Sequence, residues 1–150
     1  MIIEKVLPKS VIIHIDRFSL SPHLQLEAVQ EFKELCLSSG TKVCAEVSGK
    51  IDRPSSNFFV KQGKLVEIKQ LVQSNKANLV IFNNDLTPSQ ERNLEEYLCA
   101  RVLDRTSLIL DIFATRASSH IGKLQVELAQ LTHLSTRVVR GWSHLGRQKG

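Results

Sequence analysis

The feature that most constrains this chain lies near its end. Between Leu110 and Leu145, apolar or small residues fall at positions 110, 114, 117, 121, 124, 128, 131, 135, 138, 142 and 145, in steps of four and three without a slip. Leu110, Ala117, Leu124, Leu131, Val138 and Leu145 take a-like places, and Ala114, Ile121, Leu128, Ser135 and Trp142 take d-like ones. Such spacing lines up one narrow apolar stripe, the seam of a coiled coil. One unbroken helix over that register is expected to be about 50 Å long. Gly122 and Gly141 weaken it by about 1 kcal/mol each wherever they are exposed. A seam needs a second helix, and no earlier stretch has heptad spacing. Either two copies pair through it, a non-native dimer, or the partner helix lies beyond Gly150. The ending Arg147-Gln148-Lys149-Gly150 reads as the approach to a turn, so the expectation is a chain cut off before its second helix.

The residues before the seam have their own sheet to cover. Ser10 to Asp16 is a β-branched apolar run suited to a buried parallel strand. His23 to about Leu37 carries apolar residues on roughly one helical face, and Ser38-Ser39-Gly40 stops it. Thr41 to Val47 reads as a second strand, Phe58-Phe59-Val60 as a short apolar element, and Lys64 to about Gln73 as a helix. Ala77 to Phe82 is the clearest strand, and Thr87-Pro88-Ser89-Gln90 opens a helix that runs to about Cys99. Arg101 to Asp104 is a last short strand. Strands alternating with helices predict an α/β fold with a mainly parallel sheet of about four strands flanked by helices, followed by the long coiled-coil-like helix. The division expected is an α/β subdomain over 1–106 and a first stalk helix over 107–150. Strand order is not legible at this level.

Composition enters through charge. Residues 1–100 carry 12 Lys/Arg against 12 Asp/Glu, while residues 101–150 carry 8 against 3, so the whole formal net charge of +5 belongs to the last third. A basic stretch of this kind is either a nucleic-acid footprint or a solvated helix face. Three widely spaced cysteines, Cys36, Cys44 and Cys99, fit buried or isolated thiols in a reducing cytoplasm better than a disulfide framework or a metal site. The start has no signal-peptide pattern, and no apolar run approaches the ~18 residues of a membrane span.

Several runs resemble one known family. Leu79-Val-Ile-Phe-Asn-Asn-Asp-Leu-Thr-Pro-Ser-Gln-Glu-Arg-Asn-Leu94 is similar to the strand-to-helix segment of HflX-type ribosome-associated GTPases. Arg101 to Ala114 resembles that family's RVLDRTxLILDIFA stretch, and Gly122 to Leu131 and Arg140-Gly141-Trp142 match two further runs. Gly63-Lys64 looks like the family's GxGKxxEL element without its first glycine, and residues 1–57 match only in strand–helix pattern. The resemblance implies three parts: an α/β subdomain, a two-helix antiparallel stalk and a GTP-binding domain. This chain would hold the first part and the first stalk helix. It further implies a cytoplasmic protein that binds the large ribosomal subunit and rRNA and acts in ribosome splitting or in translation under stress. GTP and Mg²⁺ belong to the full-length parent, and no cofactor is expected in this chain.

The residues themselves offer no reaction. Phosphate binding by a P-loop needs Gly-x-x-x-x-Gly-Lys-Ser/Thr, which does not occur here; Ile121-Gly122-Lys123-Leu124 has only the Gly-Lys pair and lies in the seam. Asn75-Lys76-Ala77-Asn78 lacks the carboxylate of a guanine-reading Asn-Lys-x-Asp and reads as a turn. Lys61-Gln62-Gly63-Lys64 is either an anion-holding helix start or a plain junction. Asp16 and Asp85 each follow a strand, where open α/β sheets bind ligands, but a phospho-acceptor pocket would need a second acid and a lysine that cannot be picked out. The five histidines show no metal spacing, and His14 inside an apolar strand reads as a core residue. No catalytic, metal or cofactor-binding residue is therefore assigned. The candidate RNA-binding residues are Arg116, Lys123, Arg137, Arg140, Arg147 and Lys149, all off the a/d stripe. Trp142 either packs in the seam or stacks on a base. Two other readings stay open: a self-associating interaction module, and a small-ligand or phospho-acceptor α/β domain.

Overall fold

A computed structural model describes residues 7–116 and 120–149; along the last helix, side chains are described through Arg137 except those of His120, Ile121 and Lys123. The order is β1 (Lys9–Asp16), α1 (Pro22–Ser38), β2 (Lys42–Lys50), α2 (Gln62–Asn75), β3 (Leu79–Phe82), α3 (Pro88–Leu98), β4 (Arg101–Leu103), α4 (Arg105–Arg116) and α5 (His120–Lys149). The four strands form one parallel sheet in the order β2-β1-β3-β4. The predicted α/β class, strand number and parallel sense hold.

Both faces of the sheet are covered, which is why β1 and β3 read as continuous apolar runs. Val11, Ile13 and Ile15 of β1, Val80 and Phe82 of β3 and Val102 of β4 point to one side, where Leu65, Ile68 and Val72 of α2 and Leu94 and Leu98 of α3 meet them. Ile12, Leu79, Ile81 and Leu103 point to the other side, against Phe32 and Cys36 of α1 and Leu108 and Ile112 of α4. Phe58-Phe59-Val60, read as an apolar element, is a turn pinned by a bridge between Ser55 and Phe59. Phe59 and Val60 are buried beneath it.

Local signals account for the helix ends. Ser21 caps α1, its hydroxyl accepting from Leu24 N. Thr87 caps α3 in a full capping box with Gln90, behind Pro88 at the first helical position. Lys76 and Cys99 close α2 and α3 with φ of 52° and 53°, the left-handed geometry that most often falls to glycine.

The expected single seam helix is not what forms. In a straight helix, Leu110 and Gln130 would be about 30 Å apart; here Gln130 Nε2 donates to Leu110 O at 3.3 Å. Ser107 faces His133, and Asp104 faces Arg137. Each step forward along α4 is matched by a step back along α5, so the two form an antiparallel hairpin. α4 ends at Arg116 and α5 begins at His120; residues 117–119 lie outside the described residues, as do the side chains of Ile121, Val138, Trp142 and Leu145. The physical reason is α4's second duty: Leu108 and Ile112 are buried in the core, which ties α4 to the sheet.

Candidate functional site

Parallel strands end together, so the carboxyl edge of the sheet gathers Asp16, Asn83, Asn84, Asp85 and Asp104. Their chemistry is structural. Asp16 Oδ1 accepts from Phe18 N at 2.9 Å, and Asp16 Oδ2 from Leu20 N at 3.0 Å and Gln25 Nε2 at 2.8 Å. Those backbone donors, led by Phe18 N–H, hold its carboxyl below the usual carboxylate value. Asn84 lays its amide along β1, accepting from Ile15 N and donating to Ile15 O, and so extends the β1–β3 ladder by side chain. Asp85 accepts from Thr106 Oγ1 at 2.7 Å. Both aspartates of the phospho-acceptor reading are thus engaged with the protein's own donors.

On the α1/α4 side of the same edge, Arg105 Nη1 donates to Asn83 Oδ1 at 2.7 Å and Arg105 Nη2 pairs with Glu31 at 2.6 Å. Asn83 then presents its amide N–H to His14 Nδ1 at 2.7 Å. In that arrangement His14 Nδ1 accepts and the ring proton sits on Nε2, a buried atom without a hydrogen-bond partner among the described residues. Burial lowers the His14 pKa, with Arg105 adding to the effect and Asp16 opposing it. The residue read as a core histidine is a half-buried one tied into a polar chain.

The second cluster lies where α5 meets the sheet edge. Asp104 follows β4 and is 1% exposed. Its Oδ1 accepts from Ser107 N at 2.9 Å, as an N-cap of α4 would, and its Oδ2 accepts from Leu86 N and from Arg137 Nη2. Arg137 Nη1 lies 2.9 Å from Glu91 Oε2 of α3, and Arg137 Nε donates to His133 Nε2 at 3.0 Å. Burial raises the Glu91 pKa, and Arg137 works against that rise. Beside this clasp is a half-open cleft of about 330 Å³ lined by Val102, Leu103, Leu110 and Leu134 as well as its charged residues.

The six cations proposed from sequence fare differently. Arg116 ends α4 and is exposed. Lys123, Arg140, Arg147 and Lys149 lie on α5, with side chains outside the described ones. Arg137 is turned inward onto Asp104 and Glu91. Sequence reasoning missed this clasp; the available signal was an aspartate directly after the last strand, where a buried acid needs a cation. It also missed Phe18, 79% exposed in the loop after β1, with the Arg17 guanidinium 5.9 Å from its ring.

The faces of α5 are sharply divided. Val126, Gln130, His133 and Arg137 are half-buried against the domain, while Leu124, Leu128 and Leu131 are 51%, 63% and 61% exposed and Ser135 is exposed with them. At 3.6 residues per turn the two quartets are centred roughly 160° apart. The part of the seam from Leu124 to Ser135 faces away from its own domain.

The family model for the GTP-binding GTPase N-terminal region matches residues 26–114, and that for the GTP-binding GTPase middle region matches residues 116–150. GTPase HflX of Escherichia coli K12 is 49% identical over 142 residues, covering 95% of this chain and 33% of the relative. GTPase HflX of Flavobacterium psychrophilum is 39% identical, covering 95% and 34%. The chain thus spans about a third of the length of these relatives. A GTP-binding protein of the archaeon Sulfolobus solfataricus, solved in complex with GDP, superposes with a TM-score of 0.66 at 25% identity, over 94% of this chain and 41% of that one.

Proposed function

The chain belongs to the HflX family of GTP-binding GTPases, and from that premise we propose that it is the part of such a protein that meets the large ribosomal subunit and its rRNA. GTP and Mg²⁺ chemistry is assigned to the two thirds of the relatives' length that this chain does not span. The setting is cytoplasmic, and the process is ribosome splitting or translation under stress. The observation that carries the reading is the charge distribution: residues 1–100 are neutral, and residues 101–150 hold the whole +5. Cations dispersed over a helical surface neutralise phosphates and release counterions, so affinity falls steeply with salt. Arg116, Lys123, Arg140, Arg147 and Lys149 are assigned to RNA contact; Arg137 is not, because its guanidinium is taken up by Asp104 and Glu91.

Pelleting with purified large subunits at low and high salt tests this. Salt-sensitive co-sedimentation supports it, and absence of pelleting at low salt counts against it. A second reading, self-association, draws on the exposed Leu124–Leu128–Leu131 stripe. Sedimentation of a dilute sample decides it, a monomer removing that option.

A further inference from the structure

We propose that the loop after β1 and the cleft beside it bind an unpaired RNA strand, with Phe18 stacking on a base and Arg17, Lys50 and Lys61 neutralising phosphates. The inference rests on the rRNA reading above for the source of the strand, and it adds a contact surface separate from the basic helical end. Phe18 is 79% exposed, so its ring adds little to the core. The loop that carries it is nevertheless fixed. Asp16, buried at the end of β1, accepts from Phe18 N at 2.9 Å, Leu20 N at 3.0 Å and Gln25 Nε2 at 2.8 Å, and Gln25 Nε2 also donates to Leu20 O at 2.9 Å. Between these ties Ser19 holds φ 53°, a left-handed geometry that a serine keeps only where its surroundings impose it. A ring raised on a rigid turn loses little freedom when a base stacks on it. The Arg17 guanidinium lies 5.9 Å from the centre of that ring, and its plane offers a second stacking face as well as a phosphate contact.

The cations continue along the carboxyl edge of the sheet. Asp16 pairs with Lys50 in the parallel β1–β2 register, and Ile51 N donates to Asp16 O at 3.0 Å. Arg17 and Lys50 therefore leave neighbouring strands about 5 Å apart. Lys50 borders a cleft of about 210 Å³ whose lining includes Lys61 and Lys64 at the start of α2. Lys64 is engaged, donating to Ser48 O at 2.9 Å and pairing with Glu67 at 2.8 Å, whereas Lys50 and Lys61 are exposed. Asp52 is the one acid among the described lining residues. α2 starts here without a side-chain cap, so the positive end of its dipole adds to the lysines. These features select the ligand. A bare ring among cations calls for a partner that is both flat and anionic, which a nucleic acid is. The cleft is smaller than the roughly 300 Å³ at which enclosed small-molecule sites begin. Phe18 is not part of its lining, so a base reaches the ring as one unit of a chain whose phosphates pass the lysines. Bases in a duplex are stacked on their neighbours, so the strand is single.

Fluorescence anisotropy with a labelled decauridylate tests the site, in a chain carrying Arg116→Gln, Lys123→Gln and Arg140→Gln so that the helical end does not mask it. Phe18→Ala is expected to weaken binding about tenfold, the scale of one base–aromatic stack, with the salt slope unchanged, and Phe18→Trp to keep the affinity. Arg17→Gln, Lys50→Gln and Lys61→Gln together are expected to lower the salt slope by about 2, at roughly 0.7 per cation for a single strand. All four positions are exposed, so the melting midpoint is expected to stay with the parent's. Should Phe18→Ala lower it, Phe18→Leu decides, because leucine keeps the apolar bulk without the π-face: weaker binding supports the proposal and unchanged binding overturns it. The proposal is also overturned by a Phe18→Trp variant as weak as the alanine, by an equal loss with an RNA duplex, or by uridine monophosphate or polyglutamate competing at the decamer's own concentration. Pelleting with large subunits, run alongside, separates the two readings. A chain that pellets while its decamer binding ignores Phe18 overturns this site and leaves the subunit reading. A chain that fails to pellet while Phe18→Ala still releases the decamer supports the site and removes that reading.

Discussion

Single residues show how burial sets chemistry in this chain. The charge of His14 is disfavoured in the fold, because burial, aided by Arg105 and opposed by Asp16, lowers its pKa, whereas in the unfolded chain it takes a proton near its ordinary value of 6.5. The unfolded state therefore binds more protons below that value, and stability present above it is lost as pH falls. Asp16 acts at lower pH: its depressed carboxyl contributes stability that is present above 3.8 and lost as pH drops through the folded value. Thermal melts between pH 7.5 and 5 are expected to show a falling midpoint, and His14→Gln should flatten that slope; an unchanged slope removes His14 as the cause. Cys36 offers a second check. Burial pushes its thiol up to about 12, while Cys99 is exposed and Cys44 half-exposed. Native-state alkylation followed by mass spectrometry should modify Cys44 and Cys99 and spare Cys36 until the protein unfolds.

Whole elements are governed by their ends and faces. The Thr87–Gln90 capping box satisfies orphan donors at the start of α3, and Gln90 Nε2 also reaches Ser55 O at 2.7 Å, pinning the loop that buries Phe59. Thr87→Ala is expected to lower stability by about 1 kcal/mol in a denaturant titration. At the end of α2, Lys76 sits at φ 52°. Lys76→Gly should relieve that geometry and raise stability by about 0.5–1 kcal/mol, and a destabilised variant would show that the lysine side chain matters there. Heptad spacing gave the correct stripe on α5, from Leu124 through Leu128 and Leu131, but it predicted one rod. Spacing records which residues share a face and says nothing of whether the chain turns back between two helices. The turn follows from Leu108 and Ile112, which the core claims for α4.

At the scale of the molecule, residues 1–100 are neutral and residues 101–150 carry the whole +5, and the proposed rRNA contact belongs to the latter. Replacing Arg116, Lys123 and Arg140 together by Gln should weaken subunit binding at every salt concentration and lower the salt slope by about 2–3, with the melting midpoint little changed. Binding and slope that match the parent chain would place the RNA contact elsewhere, and exposed Phe18 beside Arg17 would be the next residues to test. The exposed seam adds a surface that pure charge does not describe. On α5 it is the polar stripe of Val126, Gln130, His133 and Arg137, and not Leu124, Leu128 and Leu131, that meets the rest of the domain.

Sequence by itself determined the elements, because each is written in local terms: β-branched runs for β1 and β3, Thr87-Pro88-Ser89-Gln90 for α3, the three-and-four spacing for α5. It also determined the family, through long runs concentrated between residues 79 and 150, and the place of the positive charge. Only the tertiary structure decided the strand order, the fold-back of α5 on α4 and the fate of Arg137. All three depend on residues far apart in the chain, such as Asp104 and Arg137 or His14 and Asn83, whose meeting is set by how helices pack on a sheet. Periodicity along the chain carries no record of such meetings, so a cation counted as free for RNA lies instead against Asp104 and Glu91.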